Sequence, residues 1–270
     1  MSARYELVEL LGVGGMGRVY RAVHHPSGEE VAVKLLHPEV REDPLHARLF
    51  LDEATAAAKI DDPRIVRLLD LGRDEAGFPF LVMQLARGPS LESLIDEWIG
   101  WRPIAAALVG TLEGLAAAHA AGVVHRDLKP ANVLLEPMTG SAQILDFGVA
   151  ALIDPLKDQS RDGVVGTPEY MPPEQLLGRG PYGPWTDLYA IGVILAQVVR
   201  GRSPFATQDS LTGLLLAKAN HHPPPIPQGA REGLQVPAGL QQLIERLLSP
   251  HPRERGRFAI AVADELRRLA

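Results

Sequence analysis

The first 84 residues alternate between short apolar segments and turns. Five segments are rich in valine, leucine and aromatic residues: 5–12, 17–23, 29–36, 65–72 and 78–84. Turn signals such as HPSG and DEAG separate them, and this pattern is typical of short strands. One helix interrupts the series, since after Pro44 one helical face carries Leu45, Leu49, Glu53, Ala57 and Ile60. The pattern predicts a small sheet with one main helix.

Beyond the connector LARGP at 85–89, the apolar positions follow a helical period. Four segments predict helices: 103–122, 185–201, 240–249 and 258–270. The second of these is apolar on most faces, which indicates a buried helix. HHPPPIP at 221–227 predicts a stiff, extended connector. A sheet-rich lobe joined to a helical lobe places a cleft at their junction, where ligands commonly bind.

Composition narrows the classes of function. The 270 residues carry a formal net charge of −6, which disfavours nucleic acid and anionic membranes as partners. The absence of cysteine excludes disulfides, thiolate zinc sites and cysteine nucleophiles. The N-terminus lacks the apolar core of a secretory signal, and the longest apolar stretch, 189–199, is too short to span a bilayer. We expect a cytoplasmic protein with no nucleic-acid partner and no membrane segment in this chain.

A glycine-rich motif follows the first predicted strand. Gly12, Gly14 and Gly17 in GVGGMGRV form the pattern G-x-G-x-x-G, which lets the backbone approach phosphates closely. A strand follows instead of a helix, which argues against a dinucleotide-binding unit. A plain hairpin turn is the alternative explanation of these glycines.

Lys34 in VAVK lies on one face of the predicted third strand, opposite Val31 and Val33. It is either an ordinary solvated lysine or a cation that reaches the α- and β-phosphates of a nucleotide. The second role requires a carboxylate that holds the lysine, and Glu53 on the inner face of the predicted helix could supply it.

The strongest chemical signal is VVHRDLKPANVLL at 123–135, followed by ILDFG. Asp127 can orient and accept a hydroxyl proton, and Asn132 can ligate a magnesium ion. Lys129 can steady the charge of a transferring phosphoryl group. Asp146 directly follows a short apolar segment and can bind magnesium between the β- and γ-phosphates.

In this order the motifs resemble the catalytic domain of protein kinases, from about Tyr5 to Leu269. The sequences GVGGMGRVYRA, HRDLKPAN, GTPEYMPPEQ and TDLYAIGVIL are most similar to bacterial eukaryotic-like (Hanks-type) serine/threonine kinases. The resemblance implies an α+β, bilobal protein kinase-like fold. It implies a small, five-stranded antiparallel N-lobe with one main helix and a larger, mainly helical C-lobe. The expected single domain over 1–270 divides into an N-lobe at 1–84, a hinge at 85–89 and a C-lobe at 90–270.

The resemblance also implies which residues bind ATP. The implied set is Leu11, Gly12, Val13, Gly14, Gly15, Gly17, Val19, Ala32, Lys34, Glu53, Met83, Gln84, Leu85, Ala86 and Leu134. Ala32 and Leu134 would enclose the adenine. The backbone of 84–86 would hydrogen-bond it beside the gatekeeper Met83.

The same resemblance assigns the catalytic groups. The implied catalytic set is Asp127, Lys129, Lys34 and Thr167, and the implied ligands of Mg²⁺ or Mn²⁺ are Asn132 and Asp146. Asp127 would be the catalytic base, with Lys129 at the γ-phosphate and Thr167 as a structural partner of both. Lys34 would pair with Glu53.

Several structural residues match the family as well. GTPEYMPPEQ at 166–175 resembles the platform that seats the substrate residue after the acceptor. Glu174 would pair with Arg255, and Asp187 would anchor the backbone of the catalytic loop, which is HRDLKPAN at 125–132. The implied spine between the lobes consists of His125, Phe147, Leu68 and Ala57.

Several positions depart from the family pattern: Pro172, Gln84, Ala57 and Gly256. Pro172 replaces the usual alanine, and proline fixes φ and removes an N–H. Ala57 is smaller than the usual aliphatic spine residue, so we expect the helix that carries Glu53 to be less firmly packed.

The implied activity is the transfer of the γ-phosphoryl group of Mg-ATP to serine and threonine hydroxyls of proteins, including the enzyme itself. A homodimer for trans-autophosphorylation, and a membrane tether if the native chain is longer, are further expectations. A pseudokinase scaffold would lack one of Lys34, Asp127 or Asp146, and all three are present. A small-molecule phosphotransferase would lack GTPEY…PPE. Ser160 is either a solvated loop residue or a phosphosite that pairs with Arg126.

Overall fold

The computed structural model describes residues 4–14, 17–42, 48, 50, 51, 54, 55, 57–147, 168–178, 180–205, 210–219 and 236–270. Within them lie the strands β1 (Tyr5–Val13), β2 (Gly17–His24), β3 (Glu29–Leu36), β4 (Leu68–Arg73), β5 (Pro79–Gln84), β6 (Val133–Leu135) and β7 (Ala142–Ile144). The helices are α1 (Pro38–Arg41), α2 (Leu91–Asp96), α3 (Trp101–Ala120), α4 (Pro173–Leu176), α5 (Pro184–Arg200), α6 (Leu211–Ala219), α7 (Leu240–Leu247) and α8 (Ala259–Leu269). Short 3-10 helices lie at Pro130–Asn132 and Pro252–Glu254.

The first five strands form one antiparallel sheet in the order β1-β2-β3-β5-β4. This confirms the predicted small sheet. The fourth strand, however, begins at Leu68 and not at residue 65. Ile65 instead bridges Ile144 of β7, and the Val66 N–H donates to the Ile144 carbonyl at 3.0 Å. The segment predicted to open this strand is therefore used to join the sheet lobe to the helical lobe.

The two faces of the sheet bury different sets of side chains, as alternation along a strand requires. One face packs Val31 and Val33 with Phe80 and Val82. The other face carries a cluster of Leu36, Leu81, Phe50 and Ala54. Lys34 shares the second face, opposite the valines, as predicted. The described residues between 48 and 57 are helical, so the main helix of this lobe covers that second face.

The helical lobe is built around α3 and α5. The α5 helix buries 13 of its 17 residues, which confirms the predicted buried helix. It ends at Gly201, whose φ of 73° is a left-handed cap that glycine adopts without strain. The α3 helix is long and apolar enough to cross a membrane by length and composition, but 56% of that window is buried inside the fold. Because α3 packs against α8 and β7, it is a core helix of this lobe.

Short helices account for most of the elements that periodicity did not predict. The helices α1, α2 and α4 have four to six residues, which is under two helical turns. The α2 helix is nevertheless marked by its cap, since the Ser90 hydroxyl accepts from the Ser93 N–H at 3.1 Å. The connector predicted at 221–227 lies outside the described residues.

Candidate active site

Lys34 and Asp146 form an ion pair between the lobes, in which the lysine is buried and the aspartate is half-buried. The Lys34 Nζ lies 2.8 Å from an Asp146 carboxylate oxygen, and the lysine side chain is 9% exposed. Burial opposes ionisation of Asp146, but the charge and hydrogen bond of Lys34 outweigh it and hold the pKa of this carboxyl below its usual range. Lys34 is therefore not a solvated surface residue. Its predicted partner Glu53 lies outside the described residues.

The chain around Asp146 is fixed by contacts with the catalytic loop. Asp146 has a φ of 48°, a left-handed conformation that is uncommon for residues other than glycine. The Leu145 N–H donates to the Asn132 carbonyl at 2.9 Å, and the His125 Nε2 donates to the Leu145 carbonyl at 2.8 Å. The rings of His125 and Phe147 lie 4.8 Å apart. These contacts hold Asp146 next to Asn132, its predicted partner in metal binding.

Asp127, Lys129 and Asn132 lie together in the catalytic loop, as predicted. The Lys129 Nζ is 3.3 Å from an Asp127 carboxylate oxygen. The Asn132 amide nitrogen donates to the Asp127 carbonyl at 2.8 Å and to its carboxylate at 3.3 Å. The predicted third partner, Thr167, lies outside the described residues. This loop thus presents one carboxylate, one ammonium and one amide side by side.

Asp187 anchors this loop from beneath, which confirms its predicted contact. Its carboxylate accepts from the backbone N–H of His125 at 2.9 Å and of Arg126 at 2.8 Å. His119 Nε2 lies 2.7 Å from the same carboxylate. Burial opposes ionisation of Asp187, but the hydrogen bond and charge of His119, with His125, hold its pKa below its usual range. His119 lies in the helix predicted at 103–122, and sequence reasoning missed this role.

Gln175 is a second residue that sequence reasoning missed. Arg126 has a φ of 65°, a left-handed conformation that costs energy unless the surroundings impose it. The Gln175 amide donates to the Arg126 carbonyl at 2.8 Å, while Asp187 binds its N–H. Both ends of this residue are therefore held. Gln175 ends the GTPEYMPPEQ motif, but its bond to a backbone carbonyl 49 residues away was not predicted from that motif.

The platform at 166–175 is tied to the C-terminal lobe through Glu174, as predicted. Arg255 donates to the two Glu174 carboxylate oxygens at 2.7 and 2.9 Å, and its side chain is fully buried. Pro172 caps α4 with a φ of −71°, a value that proline adopts without strain. Its carbonyl accepts from Gln175 and Leu176, and an N–H at the start of a helix has no acceptor within that helix, so the proline loses no helical bond. The departure from the family pattern is thus accommodated locally.

The glycine-rich motif combines open and crowded positions. A Cβ on Gly12 would meet nothing within 4 Å, whereas a Cβ on Gly17 would lie 2.0 Å from the Leu35 carbonyl oxygen. Gly14 and Gly17 are joined by a backbone hydrogen bond of 2.9 Å. The Gly14 carbonyl also accepts from His37 Nε2 at 2.8 Å. Gly15 lies outside the described residues.

The residues predicted to surround adenine lie on strands of both lobes. Ala32 on β3 pairs with Met83 on β5, and Leu134 lies on β6 opposite Gln143. Leu11 and Val13 on β1 are exposed. Four other residues of the predicted ATP-binding set lie on strands or in the connector that follows β5: Val19, Gln84, Leu85 and Ala86. Of the predicted spine residues, Ala57 packs against the core of the helical lobe, which includes Phe147, and Leu68 packs against the cluster of Leu36 and Leu81.

The donor set fits a magnesium ion that is shared with phosphates. No group of three histidine or acidic side chains that could hold a metal alone lies within the described residues. Asp146 and Asn132 offer one carboxylate and one amide. Mg²⁺ is commonly bound by one or two such protein ligands, with water and phosphate oxygens completing its shell.

This arrangement of lobes and side chains is shared by kinase-like phosphotransferases. A family model described as "Protein kinase domain" matches residues 5–265, and the chain belongs to this family. The structure is similar to the crystal structure of the PknI kinase domain of Mycobacterium tuberculosis, with a TM-score of 0.73 at 24% identity over 99% of this chain and 97% of that chain. This similarity confirms the predicted bilobal fold.

Bacterial serine/threonine-protein kinases are among the most similar sequences. The chain is 37% identical to PknA of Mycobacterium tuberculosis, over 97% of this chain and 61% of that protein. It is 41% identical to Pkn1 of Myxococcus xanthus, over 93% of this chain and 36% of that protein. The chain therefore spans only part of the length of these relatives. Their similarity confirms the family that the motifs indicated.

Proposed function

We propose that this chain is a serine/threonine protein kinase domain that transfers the γ-phosphoryl group of Mg-ATP to protein hydroxyls. The observation that carries the proposal is the Lys34–Asp146 ion pair beside the loop that joins Asp127, Lys129 and Asn132. The named serine/threonine kinases among the relatives support the choice of acceptor. The single domain over 1–270, with its hinge at 85–89, belongs to the same proposal.

The chain's own residues divide the work of nucleotide binding. Gly12 leaves open space for phosphates, and Ala32 and Leu134 would enclose the adenine. The proposed ATP-binding residues are the full set that the family resemblance implies. Lys34 would hold the α- and β-phosphates, because its ammonium is already desolvated and oriented by Asp146.

Metal binding and proton transfer fall to the carboxylates and the amide. Asp146 and Asn132 would ligate Mg²⁺, which when bound neutralises charge on the β- and γ-phosphates. The amide nitrogen of Asn132 is engaged by Asp127, which leaves its oxygen as the ligating atom. Asp127 would accept the proton of the acceptor hydroxyl while Lys129, 3.3 Å away, balances charge at the γ-phosphate.

Replacing Asp127 by Asn tests the proposed base. We expect transfer of labelled phosphate from ATP to a generic basic protein to fall by about 10²–10⁴-fold, the usual contribution of a general base. Asp96→Asn, at an exposed position on α2, is the matched control and should keep full activity. Equal turnover in the Asp127→Asn variant would refute the mechanism.

Ser160 carries a finer hypothesis about switching. It lies outside the described residues, but its proposed partner Arg126 has a buried Nε without a hydrogen-bond partner among the residues that the structure describes. A phosphate on Ser160 would supply the acceptor. We expect active protein to carry this phosphate by mass spectrometry and Ser160→Ala to lose activity by about tenfold or more, as for loss of a charged hydrogen bond. Full activity of the unphosphorylated Ser160→Ala variant would refute the hypothesis.

Three other expectations stay predictions. A homodimer for trans-autophosphorylation is tested by sedimentation of the active protein with and without ATP. The cytoplasmic location and the membrane tether of a longer native chain are tested by fractionation of cells that produce it.

A further inference from the structure

Lys218 on α6 is a fully buried lysine outside the catalytic cleft. Lysine is almost never fully buried unless its charge is paired or hydrogen-bonded. Its Nζ donates to three backbone carbonyls, those of Pro168 at 3.0 Å, Glu169 at 2.6 Å and Met171 at 2.6 Å. All three acceptors belong to the platform segment.

The geometry requires the ammonium form. Three acceptors need three N–H donors, which a neutral amine does not have. Burial disfavours this charge and lowers the pKa of Lys218 well below its usual range, an effect that Glu169 and Glu174 only partly oppose. The rings of Phe205 and Tyr189, with centroids 4.6 and 5.2 Å from the Nζ, stabilise the cation as well. Carbonyls and rings together thus form a cage for one buried charge.

The cage shapes the beginning of the platform. Pro168 and Met171 are also joined directly, because the Met171 N–H donates to the Pro168 carbonyl at 3.3 Å. Lys218 therefore draws three carbonyls of one tight turn toward a single point. Without the ammonium these carbonyls would be left buried and unpaired, which favours a different backbone conformation.

The far end of the platform is held on the same aromatic ring. Arg255, which pairs with Glu174, has its guanidinium carbon 4.7 Å from the centroid of Tyr189. One ring of the buried helix α5 therefore contacts both cations, one for each end of the segment. The platform is anchored at 168–171 and at 174 to a common support.

We propose that Lys218 is a positioning residue that sets the conformation of the platform and thereby the affinity for protein substrates. The inference rests on the proposed kinase function, because the platform has a task only if a peptide binds there. Lys218 has no described contact with Lys34, Asp127 or Asp146, so nucleotide binding should not depend on it.

Lys218→Met tests the proposal, because methionine has nearly the same length and no donor. We expect the KM for a basic protein substrate to rise at least tenfold. The KM for ATP and the rate of ATP hydrolysis without protein substrate should stay within about twofold of the wild-type values. A general loss of structure would instead change these two quantities together with the KM for the protein substrate. Lys59→Met removes an exposed lysine and serves as the matched control, with all parameters unchanged.

The outcomes separate this inference from the proposed function. An unchanged KM for the protein substrate in folded Lys218→Met would overturn the inference while leaving the kinase intact. If that variant does not fold, Lys218→Gln, which keeps two donors, is judged by the same criteria. If the wild-type protein phosphorylates no substrate, the proposed function fails. Hydrogen exchange of backbone amides then tests whether Lys218 anchors the platform. Exchange at 169–171 should then rise at least tenfold in the variant, and unchanged exchange would refute the anchoring role.

Discussion

Arg126 illustrates how a single catalytic-loop residue is held in an unfavourable conformation. Its left-handed backbone costs on the order of 1–3 kcal/mol. Asp187 binds its N–H and Gln175 binds its carbonyl, so the cost is met by contacts from two different elements. The next residue is Asp127, so the direction of the proposed base depends on these two side chains.

Replacing Asp187 by Asn should destabilise the fold. An amide group can no longer accept at both oxygens, so at least one buried N–H of His125 or Arg126 loses its partner, at about 1–3 kcal/mol. We expect this loss in the free energy of unfolding measured by urea denaturation. Asp96→Asn, exposed on α2, should change it by less than about 0.5 kcal/mol. An Asp187→Asn variant as stable as the wild type would contradict the anchoring role.

The Asp187→Asn variant should also change how the free energy of unfolding depends on pH in the acid range. The pKa of Asp187 is lower in the folded protein than in the unfolded chain, so the unfolded state takes up the proton first as the pH falls. The carboxylate's stabilising contribution is therefore present above the unfolded pKa of about 3.9 and is lost as the pH falls through the lower folded pKa. We expect Asp187→Asn to show a shallower loss of unfolding free energy in this acid range.

Some residues could be assigned from the sequence, and others could not, for a physical reason. Asp187 and Arg255 occupy positions within or beside recognisable motifs, and both predicted contacts are observed. Gln175 and Lys218 bind backbone carbonyls 47 to 50 residues away. Backbone groups are present at every residue, so a contact with one is predictable only where the family resemblance assigns the side chain a role, as it does for Asp187.

At the scale of elements, the pairing of β2 with β3 explains one glycine of the glycine-rich motif without reference to a ligand. Gly17 lies against the Leu35 carbonyl, whereas Gly12 faces open space. One glycine is thus demanded by strand packing and the other is free to serve a nucleotide.

Alanine substitutions should separate these two roles. Gly17→Ala forces β2 away from β3 and should cost about 1–3 kcal/mol, as overpacking usually does. Gly12→Ala should change the free energy of unfolding by less than about 1 kcal/mol, with its effect confined to ATP affinity. Thermal unfolding and ATP titration of both variants check this. Equal stability of the two variants would contradict the packing argument.

Most long elements followed from periodicity, although α6 did not, and the short helices were missed. The buried helix α5 and the strands of the sheet were predicted closely because packing on a core imposes a regular pattern. Helices of four to six residues, such as α2 and α4, present too few positions for a period. The start of β4 was wrong because Ile65 is as apolar as a strand residue, yet it pairs with Ile144 in the other lobe.

At the scale of the whole molecule, nucleotide and metal should stabilise both lobes together, since the proposed ligands come from each. Saturation at 100 times the Kd raises the unfolding free energy by about 2.7 kcal/mol. We expect Mg-ATP to raise the Tm, and chelation of Mg²⁺ to remove part of this rise. In Asp146→Asn the Mg²⁺-dependent part should vanish, whereas Asp96→Asn should respond as the wild type. A full Mg²⁺ effect in Asp146→Asn would argue for another metal ligand.

The hydrogen bonds between 64–66 and Ile144 have a consequence for how the lobes can move. The Ile144 N–H donates to the Arg64 carbonyl at 2.7 Å, and its carbonyl accepts from Val66. The backbones of the two lobes are thus joined covalently through the connector after β5 and again through this pair of hydrogen bonds, and the Lys34–Asp146 ion pair adds a side-chain contact. The two backbone attachments define an axis. We therefore expect the lobes to open and close by rotation about this one axis, not by pivoting in all directions. Asp146 lies two residues from Ile144, close to this axis. Opening of the lobes should therefore displace the glycine-rich motif by a large distance and the proposed metal ligand Asp146 by a small one.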